Sequence, residues 1–556
     1  MIYAADFETT TDENDCRVWA WGIAAIDDPE SSFVCGNSLM TFMEAMKKLD
    51  KPKVYFHNLK FDGSFILDWL FKAGFQYMED SEKLPEKTFT CLISDMGQFY
   101  SIKVCLYRGS HRVKLVTFCD SMKLFPNMTV KRLARDFDTG LEKLDIDYDD
   151  YRPQGHELTD LEKAYLKNDV LILAKALDKT INGMNLNRLT IGSCALSSFK
   201  GMLSMKFDRL FPPPLDDADL RLAYKGGFTY VSKLARKKEI GPGIVLDVNS
   251  LYPYVMSSRV LPYGKPVFFT GQYRPDKLYP LFIQQIRCQF DIKPDRIPTI
   301  QIKKSTHYSE TEYLENSDGI ETVLTLTSVD LALFLEQYDV FNLEYLSGWK
   351  FKGSSKIFET YVNHWTRAKI KAKQENNKSL YTISKLMQNS LYGKFATNPV
   401  SRRKIPYYDD HLKFRTSAPE SRDPVYVPAA AFITAYAREI TIRAAQAHYP
   451  RFLYADTDSL HLAGLELPDS LEIDDVKLGA WKHEATFQKA KFIRQKCYAE
   501  IIDDKLKISC AGMPESCHKF VTWENFRMGM KFDGKLVPKK VPGGTVLVQT
   551  EFTIRE

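Results

Sequence analysis

Two aspartates stand two residues apart in Tyr454-Ala455-Asp456-Thr457-Asp458-Ser459, between apolar runs that read as the two strands of a hairpin from Phe452 to Ala463. Residues i and i+2 of a strand share a face, so such a tip can aim both carboxylates to one side and hold a divalent metal there. An acidic β-turn is the competing reading, since Asp is common in turns. A further carboxylate at a strand end, Asp247 in Asp247-Val248-Asn249-Ser250-Leu251-Tyr252-Pro253, shifts the balance. Hard oxygens from two separate strands are what Mg²⁺ takes when substrate phosphates complete its shell. Phosphoryl transfer with two metals needs one ion at the attacking oxygen and one at the leaving group, and Asp247 and Asp458 would bridge them.

A third element, Lys385 to Gly393, puts Lys385, Asn389 and Tyr392 on one helical face, a cation, an amide and an aromatic ring suited to a triphosphate, a sugar and a base. Upstream, Arg367, Lys369, Lys371 and Lys373 alternate with apolar or small residues. By itself that is an ordinary basic surface, and the Lys385 that follows on the same stretch favours phosphate binding.

The N-terminal third carries a separate acidic set. Ile2 to Ala5 reads as a short buried strand ending at Asp6 and Glu8, and Val54-Tyr55-Phe56 as another delivering Asn58, with Asp62 four residues on. Thr159 is a candidate N-cap for an amphipathic helix to Ile181 that carries Tyr165 and Asp169 one turn apart. Four carboxylates in one place repel unless cations neutralise them, which argues for two-metal hydrolysis of phosphodiesters.

These sets need separate lobes, and 556 residues are too many for a single core. Strands alternating with helices make the first ~190 residues an α/β lobe. A second, mixed lobe follows. Gly241-Pro242-Gly243 introduces a strand at Ile244 to Leu246, and Leu261 to Lys352 is proline-spotted and strand-like. Ile357 to Phe395 reads as a long helical stretch, Asn398 to Pro424 as a basic, aromatic hairpin, and Phe432 to Tyr449 as a helix. The net charge of +5 decides little about partners, and the ten cysteines lack the Cys-x-x-Cys spacing of a zinc site. Without a signal-like N-terminus or a bilayer-length apolar run, the expectation is a soluble intracellular protein.

Taken in order, the motifs resemble those of the protein-primed family B DNA polymerases of small linear-genome bacteriophages. The Asp6–Glu8, Asn58–Asp62 and Tyr165–Asp169 series is similar to the three motifs of DnaQ-like proofreading exonucleases. The Asp247 to Pro253 segment, the Lys385 to Gly393 helix and Tyr454 to Ser459 look like the three family B polymerase motifs, with Tyr224-Lys225-Gly226-Gly227 like the linker between the two activities. The resemblance implies an α/β and α+β multidomain fold: an RNase H-like 3′–5′ exonuclease domain over 1–189 and a right-hand polymerase domain over 190–556. Within the latter it implies a palm over 190–260 and 425–525, insertion one over 261–356, fingers over 357–397, insertion two over 398–424 and a thumb over 526–556.

The resemblance also implies roles. Asp247, the Val248 backbone and Asp458 would hold two Mg²⁺ or Mn²⁺ ions, with Asp456 beside them. Val248, Tyr252, Lys385, Asn389 and Tyr392 would receive the dNTP, Tyr252 excluding a 2′-hydroxyl, with a second cation among Lys369, Lys371 and Lys373. Asp6, Glu8, Asp62 and Asp169 would hold two ions in the exonuclease, helped by Tyr165 and Lys143. Thr9, His57, Asn58, Phe61, Phe65, Ser121, Met122 and Tyr148 would hold a frayed single strand, where base stacking is worth ~1–3 kcal/mol per aromatic. Tyr224, Gly226, Gly227, Thr434, Arg438, Lys496 and Tyr498 would grip primer and template. Expected partners are template-primer DNA, dNTPs, a terminal protein as primer, and viral single- and double-stranded DNA-binding proteins. The implied enzyme is a monomer in the cytoplasm of a bacterial host. A rival reading is a nuclease whose second half is an inactive DNA-binding body, against which the intact Asp247, Asp456 and Asp458 argue; a non-enzymatic replication scaffold is another, and it would not need two complete carboxylate sets. Departures from the family pattern include Cys497, where a hydroxyl residue is usual, Met122, where Leu is common, and a longer stretch between Trp365 and Lys385.

Overall fold

The computed structural model describes residues 1–79, 83–110, 112–148, 150–236, 238–301 and 313–555. Insertion one therefore lies partly outside the described residues, at 302–312. The first lobe is built on an eight-stranded mixed sheet whose centre is Ile2–Thr9, paired antiparallel with Val18–Ala25 and parallel with Lys53–Phe56. Val18–Ala25 reads VWAWGIAA and is buried along its whole length, as a strand covered on both faces must be. Helix Asp160–Ile181 covers one face, started by a capping box in which the Thr159 hydroxyl accepts from the Glu162 N–H while the Glu162 carboxylate accepts from the Thr159 N–H. Phe42, Phe56, Phe65 and Phe118 fill the other face.

The second lobe is centred on a five-stranded antiparallel sheet, in spatial order Trp481–Phe487, Gly243–Val248, Ser459–Ala463, Phe452–Asp456 and Thr229–Val231. Helix Val427–Ala447 lies against it, and its alanines, buried at 429, 430, 431, 435, 437, 444 and 445, let the backbone approach closely. Helices Glu359–Gln374 and Lys378–Phe395 stand together beside this sheet. The segment 261–354 forms its own four-stranded sheet.

Several expectations change in detail. The first strand runs through Asp6 and Glu8 to Thr9 instead of ending before them. The long helical stretch is two helices, broken at Glu375 to Asn377, where Asn376 adopts a positive φ of 53° and Asn377 caps the second helix. A helix, Ser328–Gln337, lies within the strand-like text, started by Thr327.

The C-terminal hairpin, Lys531–Val541 with Gly544–Thr553, folds back onto the first lobe and packs on helix Leu59–Lys72. At its turn Gly543 has a φ of +102° and sits so close to Cys16 that a Cβ would lie 2.0 Å from the Cys16 carbonyl oxygen. The Gly543 N–H donates to Asp68 at 3.1 Å, and the Thr545 and Ser64 hydroxyls pair at 2.8 Å. Among the described residues no helix is long and apolar enough to cross a membrane.

Candidate active sites

In the first lobe, strand alternation puts Asp6 and Glu8 on one face of the central strand, while Asp62 comes from the first turns of Leu59–Lys72 and Asp169 from the covering helix. Glu8, Asp62 and Asp169 are all buried. Burial, and then the facing Asp169, pushes the Asp6 carboxyl up to about 7. Burial with Asp6 as neighbour raises Glu8 and Asp62 as well. Lys143 is the cation that opposes this: it forms an ion pair with Asp169 and donates to the Tyr165 hydroxyl at 3.1 Å, and Tyr148 in turn meets Tyr165 at 2.7 Å. One oxygen of Asp169 is buried with no hydrogen-bond partner. Carboxylates resisting ionisation, with an orphaned oxygen among them, have the chemistry hard divalent cations take, although among the described residues no group of three or more such side chains already stands as a metal cluster.

The residues expected to hold a single strand divide in two. Asn58 is exposed in a left-handed conformation, Phe61 lines a cavity of about 500 Å³ shared with Phe99, Phe414 and Lys540, and Tyr148 is half exposed. Thr9 and Met122 lie at the margin, largely covered. Three others are engaged by protein groups. Phe65 is fully buried, pressed under the backbone of Gly544. Ser121 is fully buried and donates to the Phe56 carbonyl at 3.0 Å, and His57 spends one ring nitrogen on Ser121 at 2.9 Å and the other on the Met128 carbonyl at 2.7 Å. These three hold the lobe together.

In the second lobe Asp247 lies near the end of strand Gly243–Val248 and Asp458 in the turn just before its neighbour Ser459–Ala463, tied where the Val248 N–H donates to the Asp458 carbonyl at 2.8 Å. Burial, then Asp458, then Glu484 push the Asp247 carboxyl up to about 7, while Lys385 and Lys482 pull it down. Burial raises Asp458 too, again opposed by Lys385. This donor set also fits a divalent cation. The rings of Tyr252 and Tyr392 stack with centroids 4.1 Å apart, forming an aromatic floor beside the carboxylates. Of the three lysines left open by sequence, Lys369 turns inward: it donates to Ser250 at 3.0 Å, and burial and the charges of Lys385 and Lys373 hold it below its ordinary value. Lys371 instead pairs on the surface with Glu375 at 3.7 Å. Asn389 is exposed on the same helix as Lys385.

These features coincide with a match to the family model for DNA polymerase type B, organellar and viral, over residues 43–475. The chain is 46% identical over 580 residues to the DNA polymerase of Bacillus phage phi29, covering 100% of this chain and 99% of that one. It belongs to the viral type B DNA polymerases. The DNA polymerase of Streptococcus phage Cp-1 is 33% identical over 587 residues, 100% of this chain and 98% of the other. The structure superposes with a TM-score of 0.93 at 45% identity, each chain covered in full, on phi29 DNA polymerase complexed with primer-template DNA and incoming nucleotide substrates. The fold is thus a family B polymerase preceded by an exonuclease-type domain.

Within this polymerase three of the expected site residues are held by protein groups. Asp456 adds its charge to the causes that raise Asp458, and its own carboxylate is held by Lys496 at 2.9 and 3.0 Å, by Thr229 at 3.0 Å and by Thr457 at 3.1 Å. It positions the hairpin tip. Thr434 is buried and donates within its own helix to the Ala430 carbonyl at 3.1 Å. Arg438 is 2% exposed, and all five of its N–H groups are spent, on Asp330 at 2.7, 2.8 and 3.2 Å and on the Lys225 and Gly226 carbonyls at 3.0 and 2.8 Å. It fixes the Tyr224 to Gly227 segment. Gly227 is needed there, because a Cβ would lie 2.7 Å from the Thr457 hydroxyl. Tyr224 and Tyr498 are partly covered, Tyr498 packing on Tyr454 with ring centroids 5.0 Å apart, while Gly226 and Lys496 are exposed.

Sequence reasoning missed Asp330, Ser250, Thr229 and Glu484. Asp330 carries a signal, the Thr-x-x-Asp pattern of a capped helix start, in which the Thr327 hydroxyl donates to it at 2.8 Å. Thr229 and Glu484 are placed by strand pairing that no local pattern reveals, and Ser250, in the turn after Gly243–Val248, meets Lys369 from a helix distant in sequence.

Proposed function

We propose that this DNA polymerase extends a primer and removes its 3′ end in two separate sites, each using two divalent ions, Mg²⁺ or Mn²⁺. The observation that carries this reading is the duplication: two largely covered carboxylate sets with raised affinity for protons, one at each lobe's central sheet, each opposed by its own lysine. When bound, the ions supply a Lewis acid at the attacking and leaving oxygens. Asp247, Asp458 and the Val248 carbonyl would hold them in the palm, and Asp6, Glu8, Asp62 and Asp169 in the exonuclease.

The chain's own groups do the rest. Lys385 and Lys369 receive the triphosphate, with Asn389 beside them. Tyr392 backs the nascent pair, and the ring of Tyr252, held by its stack on Tyr392, blocks a 2′-hydroxyl. In the first lobe Lys143 orients Tyr165 and Tyr148, which hold the hydrolytic water or the scissile phosphate. Asn58 and Phe61 hold the frayed end. Lys496 and Tyr498 touch the primer side, and Tyr224 with Gly226 and Gly227 the template.

The partners are primer-template DNA and dNTPs, in keeping with the complexes formed by phi29 DNA polymerase. By the same kinship, synthesis starts on a terminal protein and displaces the non-template strand, and the enzyme acts in the bacterial host's cytoplasm. Incubating a labelled primer on a template with Mg²⁺, with and without dNTPs, tests the reading. Extension with dNTPs and stepwise shortening without them are expected, and extension alone would remove the exonuclease half.

A further inference from the structure

Cys497 and Cys510 face each other across the antiparallel pair Cys497–Ile502 and Lys505–Cys510, with their sulfurs 3.3 Å apart. The Ala511 N–H donates to the Lys496 carbonyl at 2.7 Å, which makes Cys497 and Cys510 a non-hydrogen-bonded cross-strand pair, the type in which opposed side chains lie closest. Cα atoms in such a pair are ~4.5 Å apart, inside the range a disulfide spans. Cys497 is fully buried, Cys510 is partly open to solvent, and Arg494, which pairs with Cys497 on the neighbouring strand, lends both sulfurs a positive environment. A reachable thiol beside a cation with a second thiol in van der Waals contact is the arrangement of a reactive and a resolving cysteine.

We propose that Cys497 and Cys510 are a peroxide-sensitive modification site that closes to a reversible disulfide. The Cys510 thiolate attacks one peroxide oxygen, taking up HO⁺ as a sulfenic acid while the other oxygen leaves as hydroxide and is protonated to water. The Cys497 sulfur then attacks the sulfenic sulfur, an S–S bond forms, the S–O bond breaks, and the hydroxyl leaves with the thiol proton as a second water. Two thiols and one hydrogen peroxide thus yield one disulfide and two waters. Closure restrains the backbone next to Lys496, whose ammonium holds Asp456 and whose N–H donates to Tyr454 at 3.0 Å. Resting on the role proposed for Lys496 on the primer side, oxidation loosens the grip on primer-template DNA.

The test treats the full-length protein with hydrogen peroxide, blocks free thiols, and maps the digest by mass spectrometry. A 497–510 linked peptide, forming before any other cysteine is oxidised and released by dithiothreitol, is expected. Oxidation of Cys510 to sulfinic acid without linkage, or no preference over the other cysteines, overturns the site. In parallel, extension on primer-template DNA should fall several-fold on oxidation and recover with dithiothreitol, and Cys510→Ser should resist. Linkage with unchanged extension overturns the coupling to Lys496 and leaves the proposed polymerase roles intact, whereas equal loss in Cys510→Ser assigns the effect to damage elsewhere.

Discussion

At the scale of single residues, chemistry-bearing side chains sort by what surrounds them, not by their motif. Asp458 and Asp456 are two positions apart in one motif, yet one faces Asp247 and Lys385 while the other is saturated by Lys496 and Thr229. The spacing made both legible as candidates, and their different partners come from long-range pairing that the spacing does not show. Tyr252 is the sharpest test of a role. Because its ring is fixed against Tyr392, Tyr252→Val should admit ribonucleotides, read as a fall in the ratio of dNTP to rNTP incorporation; an unchanged ratio with lowered stability would make it a core tyrosine. Arg438→Ala should cost about 3–5 kcal/mol in chemical denaturation, because it strands the Asp330 carboxylate in a buried site. Synthesis should fall through the unpinned Tyr224 to Gly227 segment. A DNA-contact role for Arg438 predicts the opposite pattern, weaker binding at unchanged stability.

At the scale of elements, the capped helix from Thr159 and the Phe452 to Ala463 hairpin were legible because their signals are local. The break at Asn376 and the Ser328–Gln337 helix were not, since a single left-handed residue ends a periodic run and strand-like neighbours mask a short helix. The Asn398 to Pro424 text was legible as a hairpin, and its pairing of Lys404–Tyr408 with Leu412–Thr416 bears that out. Its placement was hidden. Phe414 lies under the Lys540 ammonium, 3.7 Å from the ring centroid, and 6.1 Å from Phe99, so the hairpin joins the C-terminal hairpin to the exonuclease-type lobe. Asp95 also donates to the Arg402 carbonyl at 3.2 Å. We propose that this bridge closes a ring around product DNA, which would then leave only when the ring opens. Excising 398–423 with a short Gly-Ser bridge should spare addition on primed single strands, shorten products under single-binding conditions and stop synthesis at a downstream duplex. A basic loop that merely contacts phosphates predicts instead that lower salt restores passage.

At the scale of the whole molecule, two carboxylate sets each store unfavourable charge, and this couples metal, pH and stability. Asp6 and Asp247 rise from 3.8 to about 7 in the folded protein. A raised folded value contributes stability that is present below the unfolded value and lost as pH rises through the folded one. In chelator, these groups should therefore lower Tm progressively between pH 3.8 and about 7. Divalent ions bind the deprotonated form, so the gain in Tm from Mg²⁺ should grow across the same window and level off above it. A gain independent of pH would detach the ions from these carboxylates.

The central claim is that each lobe owns its own chemistry, and a labelled primer-template incubated with two folded variants tests it most directly. Asp247→Ala combined with Asp458→Ala should abolish nucleotide addition and leave 3′→5′ shortening near the level of the unsubstituted chain. Asp6→Ala combined with Glu8→Ala should do the reverse. Loss of both activities in either folded variant, or shortening that survives removal of Asp6 and Glu8, would contradict the account.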